Sequence, residues 1–162
     1  MDARVRKAGL WLAKADPTGA SDENWKLLGL FWSKADSQRI AQAGRQVLDH
    51  QLANGGWAQL PGLGADAYAT GQSLYALATA GILDTNSAAW KRGIEYLLKT
   101  QHADGTWQVK TRSFPFQPYF ESGFPYGPDQ WISMAGSGWA TIALTMADKP
   151  ALPGREALLR KP

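Results

Sequence analysis

Apolar side chains recur at spacings of three and four residues along most of the chain, the period of an amphipathic α-helix. The clearest case is the face formed by Trp90, Ile94 and Leu97. Glycine, proline or an Asp-Ser pair interrupts the pattern between segments, which marks helix ends. The sequence therefore predicts an all-α protein. Its six predicted helices cover residues 3–14, 21–35, 37–53, 66–80, 87–102 and 129–147.

The six predicted helices form three consecutive pairs, and the second helix of each pair carries a glycine in its interior. These glycines are Gly29, Gly71 and Gly138. Glycine costs about 1 kcal/mol relative to alanine inside a helix, so its recurrence predicts close helix–helix contact. We expect the three second helices to form an inner layer and the first helices an outer layer. The helix over 21–35 is apolar nearly all round and is expected to be well buried.

The third and fifth predicted helices end in the same short motif: a glutamine, three residues, a glycine, one residue and a tryptophan. A repeat of 50 residues is typical of helical arrays. The glutamine can satisfy backbone groups at the helix end, while the tryptophan packs over it and ties one repeat to the next. The motif residues are therefore predicted to be structural. They are Gln51, Gly55, Trp57, Gln101, Gly105 and Trp107.

Preceded by Arg92, Gly93 and Tyr96, the second copy of this motif resembles the Gln-Trp repeat of squalene–hopene cyclases and related terpenoid cyclases. The first copy departs from that repeat at two positions, where Gln42 replaces a basic residue and Gln46 an aromatic one. The resemblance covers about residues 22–147. It implies helical hairpins in an α/α toroid, with residues 1–162 as one domain. Three hairpins would make a partial ring, so we expect the rest of a larger toroid or a second copy as a partner.

Composition narrows the other functions that this chain could have. The chain has 162 residues and a net charge of +3, and its basic residues are spread along the helices, so no nucleic-acid partner is expected. Cysteine is absent, which excludes disulfides and thiolate metal sites. Two separate histidines do not suggest a metal site, and no cofactor is predicted. The compartment is left unknown, because no signal peptide or membrane span is recognised.

The resemblance implies an acid-initiated cyclisation, which the family starts from an Asp-x-Asp-Asp motif. That motif is absent here, as are the Asp-Asp-x-x-Asp set for magnesium and the Asp, Cys and His set for zinc found in related toroids. The nearest counterpart, residues 65–70, contains the single acid Asp66. No catalytic residue is predicted. Whether the protein is an enzyme is left open, because an acid could lie outside this chain.

Two predicted inner helices begin in a similar way, with Asp66 and Tyr68 in one and Asp129 and Trp131 in the other. One interpretation is that the aspartates cap the helices and the aromatic residues pack. The other is that the helix starts ring one mouth of the toroid and line a ligand pocket. Exchanging each aspartate for asparagine would separate an effect on stability from an effect on binding.

The segment over 108–128 breaks the helical pattern with four prolines and several aromatic residues. Long loops in compact domains are often binding loops. Aromatic residues between prolines suit an apolar ligand or a sugar, although the loop could instead act as a hydrophobic lid. Residues 148–162 are expected to be a peripheral tail. The loop candidates for ligand binding are Arg112, Phe116, Tyr119, Phe120, Glu121 and Phe124.

Two functions are therefore carried forward. The first is a cyclase-like domain that binds an isoprenoid or other apolar ligand in a central cavity without its own catalytic acid. The second is a non-catalytic module that contacts a partner protein or a glycan within a larger bacterial-type protein. Peripheral contact with a membrane is left open.

Overall fold

A computed structural model describes residues 2–114 and 118–147. Within them the protein is all-α, and no strand is formed. The predicted tail over 148–162 and the loop residue Phe116 lie outside the described residues. The helices are α1 (Ala3–Leu12), α2 (Ala20–Trp32), α3 (Ser37–Asp49), α4 (Ala67–Thr79), α5 (Ala88–Thr100) and α6 (Gln130–Ala147), with a short 3₁₀ turn at Gly127–Asp129.

Every predicted helix occurs, but most end two to four residues before the predicted boundary. The residues that follow α2 and α4 form tight left-handed turns, at Lys34 (φ 54°) and Gly81 (φ 73°). At the start of α2 the cap position is occupied by Gly19, which supplies no side-chain bond. The carboxylate of Asp22 instead accepts hydrogen bonds from the backbone N–H and hydroxyl of Thr18.

The helices alternate between two layers. Helices α2, α4 and α6 pack side by side with α4 in the middle, and α1, α3 and α5 pack against them as an outer layer. Every residue of α4 is buried except Tyr68, Tyr75 and Thr79. Their spacing places them on one face of the helix. The opposite face, which includes Leu74, packs against Gly93 of α5.

Helix α2 differs from the prediction that it would be well buried. Its leucines form part of the core, but Trp25, Phe31 and Trp32 have 47%, 38% and 53% of their surface exposed. An apolar residue at nearly every position predicts burial on all sides, but in the described structure α2 has an inner helix on one side only. Helix α2 lies at one end of the inner layer and therefore has fewer neighbours than α4.

The prediction of close contact at the helix glycines is confirmed at Gly71. A Cβ built there would lie 2.5 Å from the backbone carbonyl carbon of Trp139, so α4 and α6 meet backbone to backbone. The prediction is wrong at Gly138, where no described atom lies within 4 Å of a built Cβ. Gly29 meets only the side chain of Leu12, which belongs to the outer helix α1.

The interior glycines of α2 and α4 do not occupy equivalent positions. The two helices have the same length and end in equivalent left-handed turns, at Lys34 and Gly81, which are 47 positions apart. This register makes Asn24, and not Gly29, the equivalent of Gly71. Asn24 is fully buried and donates from Nδ2 to the hydroxyl of Ser73 in α4, 3.0 Å away. A side-chain bond therefore joins α2 to α4 where glycine joins α4 to α6.

The two copies of the Gln-Trp motif form loops with matching hydrogen bonds. The indole N–H of Trp57 donates to the carbonyl of Val47 (2.7 Å), and that of Trp107 donates to the carbonyl of Leu97 (2.8 Å). The backbone N–H groups of the two tryptophans donate to the hydroxyls of Thr70 in α4 (2.9 Å) and Ser137 in α6 (3.0 Å). Each loop therefore fastens an outer helix to the inner helix that follows it.

The side chains of the two motif glutamines have different hydrogen-bond partners. The Nε2 of Gln51 donates to the carbonyl of Gly55 and to that of Ala89 in α5, each at 2.8 Å, while its Oε1 accepts from Arg92. The first loop therefore also holds the next outer helix. The Nε2 of Gln101 donates to the carbonyl of Gly105 (2.9 Å), which closes only its own loop.

Candidate binding face on the inner helices

Four aromatic residues line the side of the inner layer that faces away from the outer helices. We call Trp25, Tyr68, Tyr75 and Trp139 the aromatic face. The ring of Trp139 lies 5.5 Å from Tyr75 and 6.2 Å, edge to face, from Trp25. These residues come from α2, α4 and α6, so the rings form one surface across all three inner helices.

Helix geometry explains why these rings meet. Tyr68 and Tyr75 are seven residues apart, which is nearly two turns, and so they project from the same face of α4. The close crossing at Gly71 brings α6 near enough for Trp139 to reach across α4 towards Trp25. Tilted and edge-to-face ring pairs are favourable for aromatic side chains, so the contacts stabilise this surface while leaving part of it exposed.

A buried polar network lies beside the aromatic face, between α2 and α4. The hydroxyl of Ser21 donates to Gln72 Oε1 at 2.9 Å and lies 3.3 Å from the Tyr68 hydroxyl. Within the described residues, Asn24 Oδ1 and Gln72 Nε2 are buried and have no hydrogen-bond partner. Buried polar atoms are usually paired, so this network has spare hydrogen-bonding capacity next to the rings.

Asp66 caps α4, which is the first of the two interpretations of the helix starts given above. Its carboxylate accepts from Ala69 N (2.9 Å) and from Gln59 Nε2 (2.7 Å), and Arg112 Nη2 lies 3.7 Å away. Burial nevertheless raises the pKa of Asp66, outweighing these stabilising donors. Burial and the nearby Asp66 carboxylate also raise the pKa of Tyr96 to about 12.

Asp129 does not cap α6, although its sequence context resembles that of Asp66. Its carboxylate accepts from the backbone N–H of Thr111 (2.9 Å), from Lys110 Nζ (2.9 Å) and from Gln108 Nε2 (3.1 Å). Burial acts to raise the pKa of Asp129, but these bonds together hold it below its ordinary value. The segment over 108–112 is therefore tied to Asp129 and, through Arg112, lies near Asp66.

The described part of the aromatic loop is anchored by Gln130, which is fully buried. Gln130 Nε2 donates to the Tyr119 hydroxyl (2.9 Å) and to the Phe120 carbonyl (3.1 Å). The Tyr119 hydroxyl also bonds to the Glu121 carboxylate. Phe120 stacks on Trp131, with centroids 6.1 Å apart and planes 22° apart, and both rings remain more than 45% exposed. We call Phe120 and Trp131 the stacked pair.

The structure therefore separates the sequence-predicted candidates into two groups. Tyr68 belongs to the aromatic face, while Phe120 and Trp131 form the stacked pair. Phe124 lies against Tyr126, whose ring packs on His102 of the second motif loop. In the described ranges, no ring contact or hydrogen bond joins the loop to the aromatic face. Tyr75 and Trp139 were not among the predicted site residues, because identifying them requires knowing which helix face is left uncovered.

Two cavities of about 330 Å³ each lie outside the centre of the aromatic face. The first cavity lies between the start of α2, the end of α3 and residues 58–63. In its wall, His50 Nδ1 lies 3.0 Å from a Glu23 carboxylate oxygen. None of the predicted ligand-binding residues lines this cavity, although the motif residue Gln51 does. The second cavity is bounded by Trp11 and Lys26 and reaches Trp25 at the edge of the aromatic face.

The fold and these contacts define an all-α protein of paired helices in two layers, with an exposed aromatic surface on the inner layer. No protein-family model matches the sequence. Among the described residues, no group of three or more acidic or histidine side chains could hold a metal ion. None of the helices seen in these ranges combines the length and apolar character needed to cross a membrane.

Proposed function

We propose that this chain is a squalene-cyclase-like toroid domain that binds an apolar, isoprenoid-type ligand on the aromatic face. The observation that carries the proposal is the set of three rings, Trp25, Tyr75 and Trp139, which touch across three helices and yet remain accessible. Tryptophan and tyrosine bury a large apolar area while keeping a polar edge for orientation. A branched hydrocarbon chain complements such a surface.

The repeat motif supports the same proposal from the sequence side. Both motif loops place an outer helix against the next inner helix, as expected for the toroid that the resemblance implies. The partly exposed hydroxyls of Ser21 and Tyr68, 3.3 Å apart, offer hydrogen bonds to a hydroxyl or another head group at one end of a long apolar ligand. The proposed ligand is therefore amphiphilic, with a hydrocarbon chain along the rings and a small polar end.

The proposal is for binding, with no catalytic acid supplied by this chain. Asp66 is the nearest positional counterpart of the family acid, but its carboxylate accepts two hydrogen bonds and faces Arg112. A carboxyl group that starts cyclisation must carry a proton to the substrate. Neighbouring donors and a guanidinium favour the ionised form, which works against that role even though burial raises the pKa.

Ligand titration with matched variants tests the proposal. Farnesol and squalene, the latter dispersed in a mild detergent, are added to the protein, and tryptophan fluorescence and thermal unfolding are followed. We expect ligand-dependent quenching and a rise in Tm for the unmodified protein. Trp139→Ala is expected to weaken binding at least tenfold, because it removes the ring that connects Tyr75 to Trp25.

Two further tryptophan variants complete this design. Trp11→Ala removes a more exposed indole from the outer layer and should leave the affinity unchanged. Trp131→Ala disrupts the stacked pair, whose exposed parallel rings favour a second candidate function, stacking against a sugar. Isoprenoid binding that survives Trp139→Ala would contradict the proposal. Binding of glycans, but not isoprenoids, that is lost in Trp131→Ala would support the second candidate instead.

A further inference from the structure

The molecule contains an internal contact in which a motif loop receives an outer helix. The first loop receives α5 through the residues Ala89, Arg92, Gly93 and Tyr96. A Cβ built at Gly55 would lie 2.4 Å from the Arg92 carbonyl oxygen, and one built at Gly56 would lie 3.0 Å from the Tyr96 ring. With the bonds from Gln51 to Ala89 and Arg92, these close approaches define one specific helix-on-loop interface.

The second motif loop presents a related surface that is only partly covered in the described structure. Thr106 replaces Gly56 there and bonds to the Tyr126 hydroxyl, whereas the side formed by Gln101 and Gly105 carries no other described residue. Gln101 is exposed and keeps only its bond to Gly105. A Cβ built at Gly105 would meet no described residue within 4 Å except Gln101 itself. Leu98 is 57% exposed, whereas its equivalent in the first copy, Leu48, is half-buried.

The neighbouring edge of α6 is open in the same way. The bonds from the motif tryptophans make Thr70 and Ser137 equivalent, and so Gly71 corresponds to Gly138. The backbone of α6 crosses at Gly71, but the described structure leaves open space at Gly138. By the same register Met134, which is 43% exposed, takes the place of the buried Ala67. At this end of the array, no helix among residues 2–114 and 118–147 covers the Gln101 loop or the Gly138 edge of α6.

The other end of the array carries the matching half of this interface. Helix α1 begins after its cap residue Asp2 as α5 begins after Ser87. In this alignment Lys7, Ala8 and Trp11 take the places of Arg92, Gly93 and Tyr96, which again gives a basic, a small and an aromatic residue. All three are exposed, Trp11 to 68%. The face of α1 that corresponds to the loop-binding face of α5 is therefore exposed in the part of the chain that the structure describes.

We infer that two copies of this chain associate head to tail, where the head is the end formed by α1 and α2 and the tail is the end formed by the Gln101 loop and α6. Helix α1 of one copy would lie on the Gln101 loop of the other, and α2 would lie against the exposed edge of α6. Lys7 would then reach the Oε1 of Gln101 as Arg92 reaches that of Gln51. Such a contact joins two different surfaces, so a pair in which both heads and both tails are used forms a closed assembly. The inference concerns the ends of the array and does not require a ligand on the aromatic face.

Analytical ultracentrifugation over a dilution series tests the association. We expect the unmodified protein to form dimers that dissociate on dilution. Lys7→Glu with Trp11→Ser alters the head, and Gly138→Ala alters the tail by placing a Cβ where an inner helix would cross. Each variant should raise the dimer Kd about tenfold or more, the size of effect typical of a central interface residue. Arg6→Glu makes the same charge change on α1 at the position equivalent to Lys91, whose side chain has no hydrogen bond or ion pair with any described residue, and should leave the Kd unchanged.

Mixing the two altered proteins distinguishes head-to-tail pairing from any other contact. A head variant keeps an intact tail, and a tail variant keeps an intact head, so labelled samples should form mixed pairs although neither associates strongly with itself. Gly138→Ala lies in open space and should retain the helical circular dichroism and Tm of a folded chain. A monomer at all concentrations, dimers insensitive to both variants, or failure of the mixture to pair would each overturn the inference.

Discussion

Asp66 and Asp129 show how the same residue type at similar sequence positions can have opposite electrostatic properties. Both follow a motif loop and precede or join the start of an inner helix. Burial dominates at Asp66 and raises its pKa, whereas bonds from Thr111, Lys110 and Gln108 hold the pKa of Asp129 down. Each carboxylate has several stabilising donors, so the direction of its pKa shift depends on the balance between burial and those donors in the folded structure, which the neighbouring sequence alone does not disclose.

Asp129→Asn is expected to lower the free energy of unfolding at neutral pH by about 2 kcal/mol, because hydrogen bonds to a charged group are lost or weakened. A lowered pKa in the folded state means that the carboxylate contributes stability above its ordinary pKa and loses that contribution as the pH falls through the folded value. The difference between the variant and the unmodified protein should therefore shrink in acid. Urea unfolding at a series of pH values measures it, and a constant difference would contradict the explanation.

Asp66→Asn is expected to behave in the opposite direction with pH. Because the folded pKa of Asp66 is raised, ionisation costs stability as the pH rises through that value. Asparagine keeps an acceptor for Ala69 N but carries no charge, so the variant should gain relative to the unmodified protein between acid and neutral pH. The same urea series tests this, and a relative loss over that interval would show that the donors outweigh burial.

At the level of helices, the sequence was sufficient to predict their number and approximate positions. Apolar periodicity and helix breakers are local signals, so six helices in alternating layers could be predicted. The register between helices was not predictable in the same way, since a glycine permits close approach without requiring it. Gly71 lies beneath a neighbouring backbone, while no described atom lies within 4 Å of a Cβ built at Gly138, although both glycines follow a hydroxyl residue that binds a motif tryptophan.

Gly71→Ala and Gly138→Ala form a matched pair that tests this difference. A methyl group at position 71 meets the backbone of Trp139, and overpacking of this kind costs about 1–3 kcal/mol. At position 138 it meets no described atom, so the higher helix propensity of alanine should keep or raise the stability by up to about 1 kcal/mol. Denaturant unfolding at concentrations where the chain is monomeric compares the two. Equal effects would contradict the assigned crossing.

The candidate site was less predictable than the helices. Tyr68 was recognised from the start of its helix, but Tyr75 and Trp139 look like ordinary core residues in an apolar helix. Their role in the aromatic face follows from which side of the inner layer lacks an outer helix, and that is a property of the assembled layers. The sequence predicts Phe120 and Trp131 as separate ligand-binding candidates. It does not predict their stacking, which depends on the hydrogen bond from the buried Gln130 side chain to the Phe120 carbonyl.

For the whole molecule, stability depends on how strongly one repeat is coupled to the next. Helix α4 contacts both inner neighbours and two outer helices, so it forms the centre of the core. Gln51 supplies a specific link between the second and third hairpins through Ala89 and Arg92. In repeat arrays such contacts between neighbours decide whether the array unfolds as one unit.

Gln51→Ala is expected to destabilise the protein by about 2 kcal/mol more than Gln101→Ala, since it removes two further hydrogen bonds at a net value near 1 kcal/mol each. Urea unfolding provides the measurement. A lower m-value for Gln51→Ala would additionally indicate that the hairpins no longer unfold together. If the two variants were equally stable, the link between the hairpins would contribute nothing measurable.

The matching hydrogen bonds of the two motif loops have a consequence for how this architecture could be lengthened. In both copies the motif tryptophan bonds to a carbonyl of the helix before it and to one hydroxyl of the helix after it. A gene segment that encodes a loop with its two flanking helices would thus encode the residues that form these hydrogen bonds. Tandem duplication of such a segment needs few compensating changes, and a protein engineer could insert an additional hairpin at the same junction.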